Sequence, residues 1–439
     1  MAREINVTKR ATVHTLGCRL NQSETNLIRD QLVDHGYEIV PFGANADLAI
    51  INTCTVTSSA DSKSRYAIRQ FTRRNPHAIT AVVGCYSQMG YKEISQIKGV
   101  DLIIGNHDKL NVLDYIGEEK NEVPVIVRDQ MDREDFTITI AGDLPFTQRA
   151  NLKIQDGCDF MCTFCIIPFA RGRARSRDFQ NLIEEARNLV ARGVRELVLT
   201  GVNIGTYHHS GKRIIHVVDA LDAIDGLSCI RISSIEPTTI PECLLERMRN
   251  PSHSLLPYLH IPLQAGSDHI LSAMRRKYKI QEFLEFLAKA TAIVPDLCIG
   301  TDIMVGFPGE TVTDFEQTCN VFLEAPFAYC HVFTYSERGG TIAAKRADHV
   351  HLSERKRRSA HLRRLSAMKR HDFHNLYLGR ELSVLFENKR EGTWPGYTPN
   401  YIRVVIPSAG ENLANRRGMV RLDAISADFV DGTLIEMID

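Results

Sequence analysis

Asp156-Gly-Cys-Asp-Phe-Met-Cys-Thr-Phe-Cys165 contains three cysteines in the spacing Cys-x3-Cys-x2-Cys: Cys158, Cys162 and Cys165. Three thiolates at that spacing can bind three irons of a cubane iron–sulfur cluster and leave the fourth iron open to a substrate or cofactor. Phe164, just before the last cysteine, can shield such a cluster from water. The stretch therefore predicts that these cysteines are metal ligands at a catalytic cluster.

Three other interpretations of these cysteines stay open. A structural zinc site needs four ligands, and no second Cys-x2-Cys pair lies nearby. A disulfide framework would leave one cysteine over and is typical of secreted chains. Chance clustering is conceivable in a chain with 11 cysteines, but it requires three coincidences within eight residues. The spacing favours a cluster over all three.

Length and composition indicate an ordinary globular protein of about three domains, since the chain has 439 residues, 44% hydrophobic and 24% charged. The first ten residues form no apolar signal segment, and no run of 18 apolar residues occurs, so no membrane association is predicted. Cysteine-rich chains without export signals belong to reducing compartments, which predicts the cytoplasm. The formal net charge of zero neither favours nor excludes nucleic acid.

Residues 11–116 alternate short apolar strands with amphipathic helices, which predicts a parallel sheet covered by helices. The predicted strands are Ala11–Leu16, Leu48–Ile51, Ile79–Val83 and Leu102–Ile104. Cys18, Cys54 and Cys85 follow three of them, so their thiols should emerge at one edge of the sheet, where such folds bind ligands. A lone cysteine there would be a packing residue. Three in the same position favour a second metal site with three protein ligands.

Four segments follow from this pattern: an N-terminal α/β domain over 1–118, a linker over 119–149, a partial barrel over 150–372 and a small β-barrel over 373–439. The linker is charged and weakly periodic, with short edge strands at most.

In the third segment, six strands alternate with helices and predict an incomplete (β/α)6 barrel. The predicted strands are Asn151–Ile154, Glu196–Thr200, Cys229–Ile235, Leu256–Ile261, Leu297–Val305 and Tyr329–Tyr335. Loops after barrel strands form the active site in this architecture. Those loops carry Ser234, Glu236 and Gln264, and Asp302 inside its strand can point into the barrel. Any one of these residues alone would be part of an ordinary turn.

The last 60 or so residues are short β-type runs between Gly, Pro and Asn turns, which predicts a small antiparallel β-barrel. Its aromatic residues Trp394, Tyr397 and Tyr401 are expected to be exposed and able to stack on RNA bases. The alternative is that this barrel is a structural cap.

Two basic stretches could contact phosphate. Residues 351–380 contain nine Lys or Arg, with Ser353 as the expected N-cap and a thin apolar stripe of Leu362, Leu365 and Met368. This segment is either a phosphate-facing helix or a solvated helix packed on the barrel. The second stretch alternates Arg171, Arg173, Arg175 and Arg177, which an extended backbone would place on one face, for phosphate contact or for ion pairs within the protein.

The chain resembles the radical S-adenosylmethionine (SAM) methylthiotransferases over essentially its full length. The resemblance lies in the three cysteines of the opening stretch and in the segments Leu16-Gly-Cys-Arg-Leu-Asn-Gln-Ser-Glu24, Asn52-Thr-Cys54, Val83-Gly-Cys85 and Gly396-Tyr-Thr-Pro-Asn-Tyr401. The first three segments look like the family's three-cysteine domain, and the last looks like its TRAM domain. The pattern of six cysteines is highly specific.

Within that family, four stretches are most similar to the branch that acts on threonylcarbamoyladenosine at position 37 of tRNA. They are Asn52-Thr-Cys-Thr-Val-Thr57, Ala60-Asp-Ser-Lys-Ser-Arg65, Leu199-Thr-Gly-Val-Asn-Ile-Gly-Thr-Tyr207 and Arg231-Ile-Ser-Ser-Ile-Glu-Pro237. One departure is Ser23, where the branch commonly has an aromatic residue, and it would alter the surroundings of the second cluster.

The resemblance implies a methylthio transfer to C2 of the adenine with two [4Fe-4S] clusters and two SAM molecules. The cluster on Cys158, Cys162 and Cys165 would cleave SAM to a 5′-deoxyadenosyl radical, which abstracts the C2 hydrogen. The cluster on Cys18, Cys54 and Cys85 would hold the inserted sulfur, which a second SAM then methylates. The resemblance also implies a tRNA anticodon loop and an electron donor as partners. Four residues are carried over to SAM binding by rim position: Ser234, Glu236, Gln264 and Asp302.

Other functions stay open beside this one: the same chemistry on isopentenyladenosine in tRNA or on a ribosomal protein side chain, or a metal-containing RNA-binding protein without catalysis. The remaining cysteines are expected to be packing residues; they are Cys229, Cys243, Cys298, Cys319 and Cys330. The 16 histidines show no ligand spacing and no role is assigned to them.

Overall fold

The computed structural model describes residues 8–129, 131, 133–139, 149–408 and 410–438. Two predictions fall partly outside the described residues. They are the absence of a signal segment, which concerns residues 1–7, and the linker, which includes residues 130, 132 and 140–148. The chain forms two compact units: one of residues 1–144, 155–178 and 336–341, the other of residues 145–154, 179–335 and 342–439. Across the described ranges, no helix is long and apolar enough to span a membrane.

The first unit is built on a six-stranded parallel sheet, as the sequence predicted. Its strands lie in the order Glu38–Ile39, Arg10–Thr15, Leu48–Thr53, Ile79–Gly84, Leu102–Ile104 and Val125–Val127. Helices Arg19–Asp34, Ser58–Arg74, Cys85–Met89 and Tyr91–Ser95 and the 3-10 helix Lys109–Tyr115 complete it. Every residue of Leu48–Thr53 is buried, because a central parallel strand has covered faces on both sides.

Part of the predicted linker is attached to this unit. Val125–Val127 is the edge strand of the sheet, and Lys120 Nζ lies 2.7 Å from Asp101 Oδ2 and 2.5 Å from the Ala78 carbonyl oxygen. Asn121 donates its backbone N–H to Asp101 Oδ1 at 3.0 Å. These contacts anchor residues 120–127 to the sheet.

The cysteine-rich stretch also belongs to the first unit, although it follows directly on a barrel strand. Strand Gln155–Asp156 pairs antiparallel with Arg175–Ser176, and helix Ile167–Arg171 lies between them. Gly172 follows this helix with a φ of 78°, so residues 171–177 are not the single extended segment that was expected. The arginines therefore do not share one face.

The second unit contains the predicted six-stranded partial barrel, in two three-stranded parallel sheets. The strands are Arg149–Lys153, Glu196–Thr200 and Cys229–Ile232, then Tyr258–His260, Cys298–Val305 and Tyr329–Thr334. Parallel bridges from Ile230 to Leu255 and from Ser234 to His260 connect the two sheets. Its helices are Phe179–Ala191, Ile214–Asp222, Glu242–Arg249, Asp268–Ala273, Ile280–Ile293, Val312–Glu324 and Leu352–Asn375, beside short 3-10 turns and a two-residue ladder of His208–His209 with Lys212–Arg213.

The C-terminal barrel of this unit is closed and has five strands. They are Glu381–Phe386, Thr393–Tyr397, Arg403–Pro407, Phe429–Met437 and Arg417–Ser426 in barrel order. Arg403–Pro407 and Phe429–Met437 pair in parallel, and the other ladders are antiparallel. Thr393–Tyr397 is a strand although its Trp-Pro-Gly core has the Gly and Pro composition that predicted turns in this segment.

The expectation that Trp394 is exposed and available for stacking is wrong, and Tyr397 and Tyr401 are half-buried. Trp394 is 5% exposed and packs in the barrel core. Tyr397 stacks on Tyr401 with ring centroids 4.9 Å apart, and the guanidinium carbons of Arg149 and Arg231 lie 4.8 Å from the Tyr397 and Tyr401 ring centroids respectively. Trp394 is thus buried, whereas Tyr397 and Tyr401 are half-buried and pack against each other and against the two arginines.

Helix Leu352–Asn375 carries most of the basic C-terminal stretch. Its N-cap is His351, whose side chain accepts the Ser353 backbone N–H, so the expected Ser353 cap is wrong by two residues. Arg358 is buried and pairs with Glu310 at 2.6 Å. Leu362 is buried, whereas Met368 is exposed. The helix therefore packs on the barrel through both apolar and paired basic side chains.

Candidate active site

Three cysteines meet at the carboxyl edge of the first unit's sheet. Cys54 and Cys85 directly follow their strands, and Cys18 lies three residues beyond Thr15. Gly17 has a φ of 105°, and a Cβ placed on it would lie 2.7 Å from Cys54 Cβ. Only glycine allows this close approach of the first loop to the second.

The three thiols are near enough to affect one another electrostatically. The pKa of Cys54 is raised to about 12, mainly by burial and also by the neighbouring Cys85 and Cys18, while a hydrogen bond at the Val56 backbone and the charge of Arg171 lower it. A buried thiolate without a counter-ion is costly, and a bound metal removes that cost by stabilising the deprotonated sulfur. Cys54 and Cys85 are buried and Cys18 is exposed; three thiols at one sheet edge fit an iron–sulfur cluster by their donor chemistry.

The second set of cysteines lies in a tight loop of the same unit. The Cys158 backbone N–H donates to the Gly172 carbonyl at 3.1 Å, and that of Cys165 donates to the Cys162 carbonyl at 3.0 Å. The Phe160 backbone N–H donates to Cys158 Sγ at 3.5 Å. Backbone N–H groups directed at sulfur are a means of stabilising thiolate ligands of clusters.

The described residues contain no group of three or more His, Cys, Asp or Glu side chains arranged around a single metal ion. Ligands of one zinc ion stand roughly 4 Å apart, because each Zn–S bond is about 2.3 Å. Cubane ligands bind three separate irons and are spaced more widely. Neither set of cysteines forms a single-ion site, and none of the described cysteines forms a disulfide.

One buried guanidinium connects the surroundings of both cysteine sets. Arg171 lies 3.0 Å from Glu24 and 3.0 Å from Asp156, two residues before Cys158. It also donates to Asn21 Oδ1 at 2.5 Å. The side chains of Arg171, Glu24 and Asp156 are each at most 1% exposed. The ion-pairing interpretation of Arg171 is therefore confirmed.

The same network continues to the loops that carry the first set of cysteines. Asn21 Nδ2 donates to the carbonyls of Leu16 and Thr53 at 2.8 and 3.0 Å, which precede Cys18 and Cys54. Glu24 also pairs with Lys109, whose ammonium donates to Asn106 Oδ1 at 2.8 Å. Sequence reasoning missed Glu24, Lys109 and Asn106, since nothing in the local pattern distinguishes a buried charge from a solvated one.

In the second unit, the structure brings Ser234 and Asp302 together around a histidine. His260 Nδ1 lies 3.0 Å from Ser234 Oγ, and His260 Nε2 lies 3.2 Å from Asp302 Oδ1. His260 received no role from the sequence. The signal for it was its position at the end of strand Tyr258–His260, four residues before Gln264.

The other two residues predicted at the barrel rim, Glu236 and Gln264, are held by different contacts. Burial raises the pKa of Glu236, and its ion pair with Arg276 opposes that effect. Gln264 has a φ of 69°, and its backbone N–H donates to the Asp302 carbonyl at 2.8 Å. Gln264 is thereby fixed beside Asp302, whereas Glu236 is held by Arg276.

The remaining cysteines are not grouped for chemistry. Cys229, Cys298, Cys319 and Cys330 are buried, and burial raises their pKa values to about 12, 12, 11 and 12. Neutral thiols of this kind behave as small apolar side chains. Cys243 is half-buried.

Comparisons with known proteins agree with this arrangement. Residues 10–105 match the uncharacterized protein family UPF0004, and residues 152–322 match the radical SAM superfamily. The threonylcarbamoyladenosine tRNA methylthiotransferase MtaB of Bacillus subtilis is 36% identical over 97% of this chain and 96% of its own. The tRNA-2-methylthio-N(6)-dimethylallyladenosine synthase of Maricaulis maris is 31% identical over 97% of each.

A solved structure shares the fold at low identity. The radical SAM methyltransferase TsrM of Kitasatospora setae superposes with a TM-score of 0.54 at 13% identity, covering 76% of this chain and 77% of its own. Radical SAM membership gives the chain an iron–sulfur cluster and SAM as its cofactors. Because relatives match it along nearly its whole length, the chain belongs to the radical SAM methylthiotransferase family.

Proposed function

We propose that this protein adds a methylthio group to C2 of N6-threonylcarbamoyladenosine at position 37 of tRNA. The observation that carries the proposal is the placement of both cysteine sets in one structural unit, connected by the buried Arg171 network. Relatives of the named tRNA activity at 36% identity support the substrate. The four stretches quoted above favour the same branch.

Two [4Fe-4S] clusters would be held here, one by each cysteine set. Cys158, Cys162 and Cys165 would bind the cluster that reductively cleaves SAM, and Cys18, Cys54 and Cys85 would bind the one associated with sulfur insertion. When bound, these clusters supply one-electron chemistry and open iron sites. The chain's own contribution is to bury Cys54 and Cys85 and so to restrict water around those two thiolates.

SAM binding is assigned to the barrel rim. Ser234 and Asp302 share His260, so their hydroxyl and carboxylate are held at fixed positions for a ribose or an amino group. Glu236 and Arg276 present a paired carboxylate and guanidinium, which suits the zwitterionic amino acid part of SAM. Gln264 adds an amide beside Asp302.

The tRNA anticodon loop is proposed to contact exposed basic side chains of the helix Leu352–Asn375. Lys356 and Arg364 are exposed on this helix, in contrast to buried Arg358. Phosphate contacts need exposed cations whose charge is not used inside the protein. An electron donor and a cytoplasmic location belong to the same proposal.

Nucleoside mass spectrometry of total tRNA from a strain lacking the protein tests the function. We expect 2-methylthio-threonylcarbamoyladenosine to disappear and to return with the wild-type chain but not with Cys162→Ala. Loss of the isopentenyl derivative alone would correct the substrate and keep the chemistry, an outcome made relevant by the 31% identity to the dimethylallyladenosine synthase. No change in either nucleoside would contradict a tRNA substrate and point to a protein side chain.

The number of clusters needs its own measurement. The anaerobically reconstituted protein should contain about eight irons with matching sulfide, and each triple cysteine-to-alanine variant about four. Stoichiometric zinc without reductive release of 5′-deoxyadenosine would contradict the enzyme and favour a non-catalytic RNA-binding protein.

A further inference from the structure

Asn106 occupies, on the fourth strand of the first unit's sheet, the position that cysteines occupy on its neighbours. The strand Leu102–Ile104 is followed by Gly105-Asn106, and the corresponding Gly-Cys pairs, Gly17-Cys18 and Gly84-Cys85, stand at or just beyond the ends of Arg10–Thr15 and Ile79–Gly84. Parallel strands bring these positions to one edge. The Asn106 side chain therefore lies at the same edge as the cysteines, and it is buried.

The Asn106 amide contacts a cysteine sulfur directly. Its Nδ2 lies 3.4 Å from Cys85 Sγ and 2.7 Å from the Ala170 carbonyl oxygen. Its Oδ1 accepts the Lys109 ammonium at 2.8 Å. An ammonium only donates and a carbonyl only accepts, so both neighbours require the orientation in which the N–H groups face the sulfur.

Paired charges on the Oδ1 side of the Asn106 amide stabilise this orientation. Lys109 is 1% exposed and forms an ion pair with fully buried Glu24, which is itself paired with Arg171. The Asn106 backbone N–H donates to Gln88 Oε1 at 3.2 Å. The amide cannot turn over without separating Lys109 from an acceptor in a buried position, which is unfavourable.

The geometry points to Asn106 as a residue that tunes the reduction potential of the cluster bound by Cys18, Cys54 and Cys85. A hydrogen bond to a ligating sulfur withdraws charge from the cluster and favours its reduced form. The inference rests on the proposed function, because it requires that second cluster. It assigns to Asn106 an effect on potential, beyond its structural contact with the Ala170 carbonyl.

The test uses the full chain with Cys158, Cys162 and Cys165 all changed to alanine, so that only the second cluster is reconstituted. Its midpoint potential is measured by an electron paramagnetic resonance titration. Asn106→Leu keeps the volume and removes the N–H group; we expect its reduction equilibrium to shift about tenfold toward the oxidised form, 59 mV for one electron. Asn106→Asp keeps the Lys109 contact, adds negative charge and should shift further in the same direction.

The matched control is Asn75→Leu, a buried asparagine of the same unit whose Oδ1 accepts the Ala46 backbone N–H. Its potential should equal that of the background protein. Equal potentials in all variants, at equal iron content, would overturn the role of Asn106 and leave the proposed function intact. A background protein that binds no iron would instead contradict the second cluster itself. If Asn106→Leu fails to fold, Asn106→Ala, which also removes the N–H group without adding charge, takes its place in the comparison.

Discussion

Arg338 holds Asp61 through a short ion pair, with 2.7 Å between its Nη1 and Asp61 Oδ2. Its Nη2 also donates to Thr55 Oγ1 at 2.7 Å, and Thr55 in turn donates to Asp61 Oδ1 at 2.7 Å. Thr55 directly follows Cys54. Residues 336–341 thus belong to the first unit and fasten the loop that carries one of its cysteines.

Replacing Arg338 should loosen that loop. Arg338→Met removes two charge-assisted bonds, one to buried Thr55 and one to partly buried Asp61, and we expect a loss of about 2 kcal/mol in local stability. Hydrogen exchange should speed up in the first turns of helix Ser58–Arg74. Arg338→Lys should be intermediate, since one ammonium cannot reproduce both contacts. Exchange rates equal to those of the exposed control Arg69→Met would contradict this role.

Removing Arg171 should be more damaging. Arg171→Met leaves Glu24 and Asp156 buried with less compensation, which typically costs about 3–5 kcal/mol. We expect a lower melting temperature of the apoprotein and reduced iron incorporation at both cysteine sets. The neighbouring variant Arg173→Met, which breaks only a half-exposed pair with Asp159, is the control and should retain both. Normal iron content in Arg171→Met would refute the network's role.

The basic residues of helix Leu352–Asn375 should fall into two groups, one needed for stability and the other for tRNA binding. Arg358→Met removes the buried partner of Glu310 and should lower stability by about 3 kcal/mol. Changing Lys356 and Arg364 to Gln should leave stability unchanged and weaken tRNA binding, with a salt-dependence slope reduced by up to about 2. Filter-binding titrations at several salt concentrations measure the slope. The exposed Lys98→Gln is the control, and an unchanged slope in the double variant would place the tRNA elsewhere.

Trp394 offers an intrinsic probe, because it is the only tryptophan in the chain. Packed in the C-terminal barrel, it should emit at short wavelength and resist quenching by acrylamide. Added tRNA should not quench it, since it is not available to stack on a base. Trp394→Ala should cost about 3–5 kcal/mol of barrel stability. Strong quenching by tRNA would show that the ring is accessible after all.

Stability should fall in mild acid because of His374. Burial, with help from Arg370 and His371, lowers its pKa to about 4, whereas in the unfolded chain it is near 6.5. The unfolded state therefore binds the proton first, so stability is complete above pH 6.5 and declines as the pH falls toward 4. We expect a loss of about 2 kcal/mol after allowance for screening.

Melting curves between pH 7 and pH 4.5 measure this effect, and His374→Leu should flatten the dependence. Asp314, whose pKa is lowered to about 2, affects stability only below about pH 4 and does not interfere. An unchanged pH dependence in the variant would assign the effect to other groups.

The sequence was sufficient for elements with a strong local signal. Leu48–Ile51 is an unbroken apolar run after a turn, and such runs identify buried parallel strands. Cys54 and Cys85 could be placed at one edge because strand direction alone determines it. Trp394-Pro-Gly396 has the composition of a turn, and only closure of the barrel makes it a strand.

Charged residues were the harder case. Arg171 and Arg358 resemble solvent-exposed cations in sequence, and burial depends on partners 147 and 48 residues away. The sequence likewise did not show that the cysteine-rich stretch belongs to the first unit, because this stretch follows a barrel strand without a break. Long-range pairings of this kind leave no periodic trace in the chain.

The contacts of Arg231 have a consequence for any attempt to shorten this protein. Arg231 is buried, bonded to Glu196 at 2.8 Å and to the Pro399 carbonyl at 3.1 Å. Deleting the C-terminal barrel would remove that acceptor and uncover the guanidinium, so a truncated enzyme would lose activity through instability even if RNA never touched the tail. Arg231 opens one of the stretches shared with the threonylcarbamoyladenosine branch. At that residue, a stretch typical of the branch coincides with a contact between the partial barrel and the C-terminal barrel.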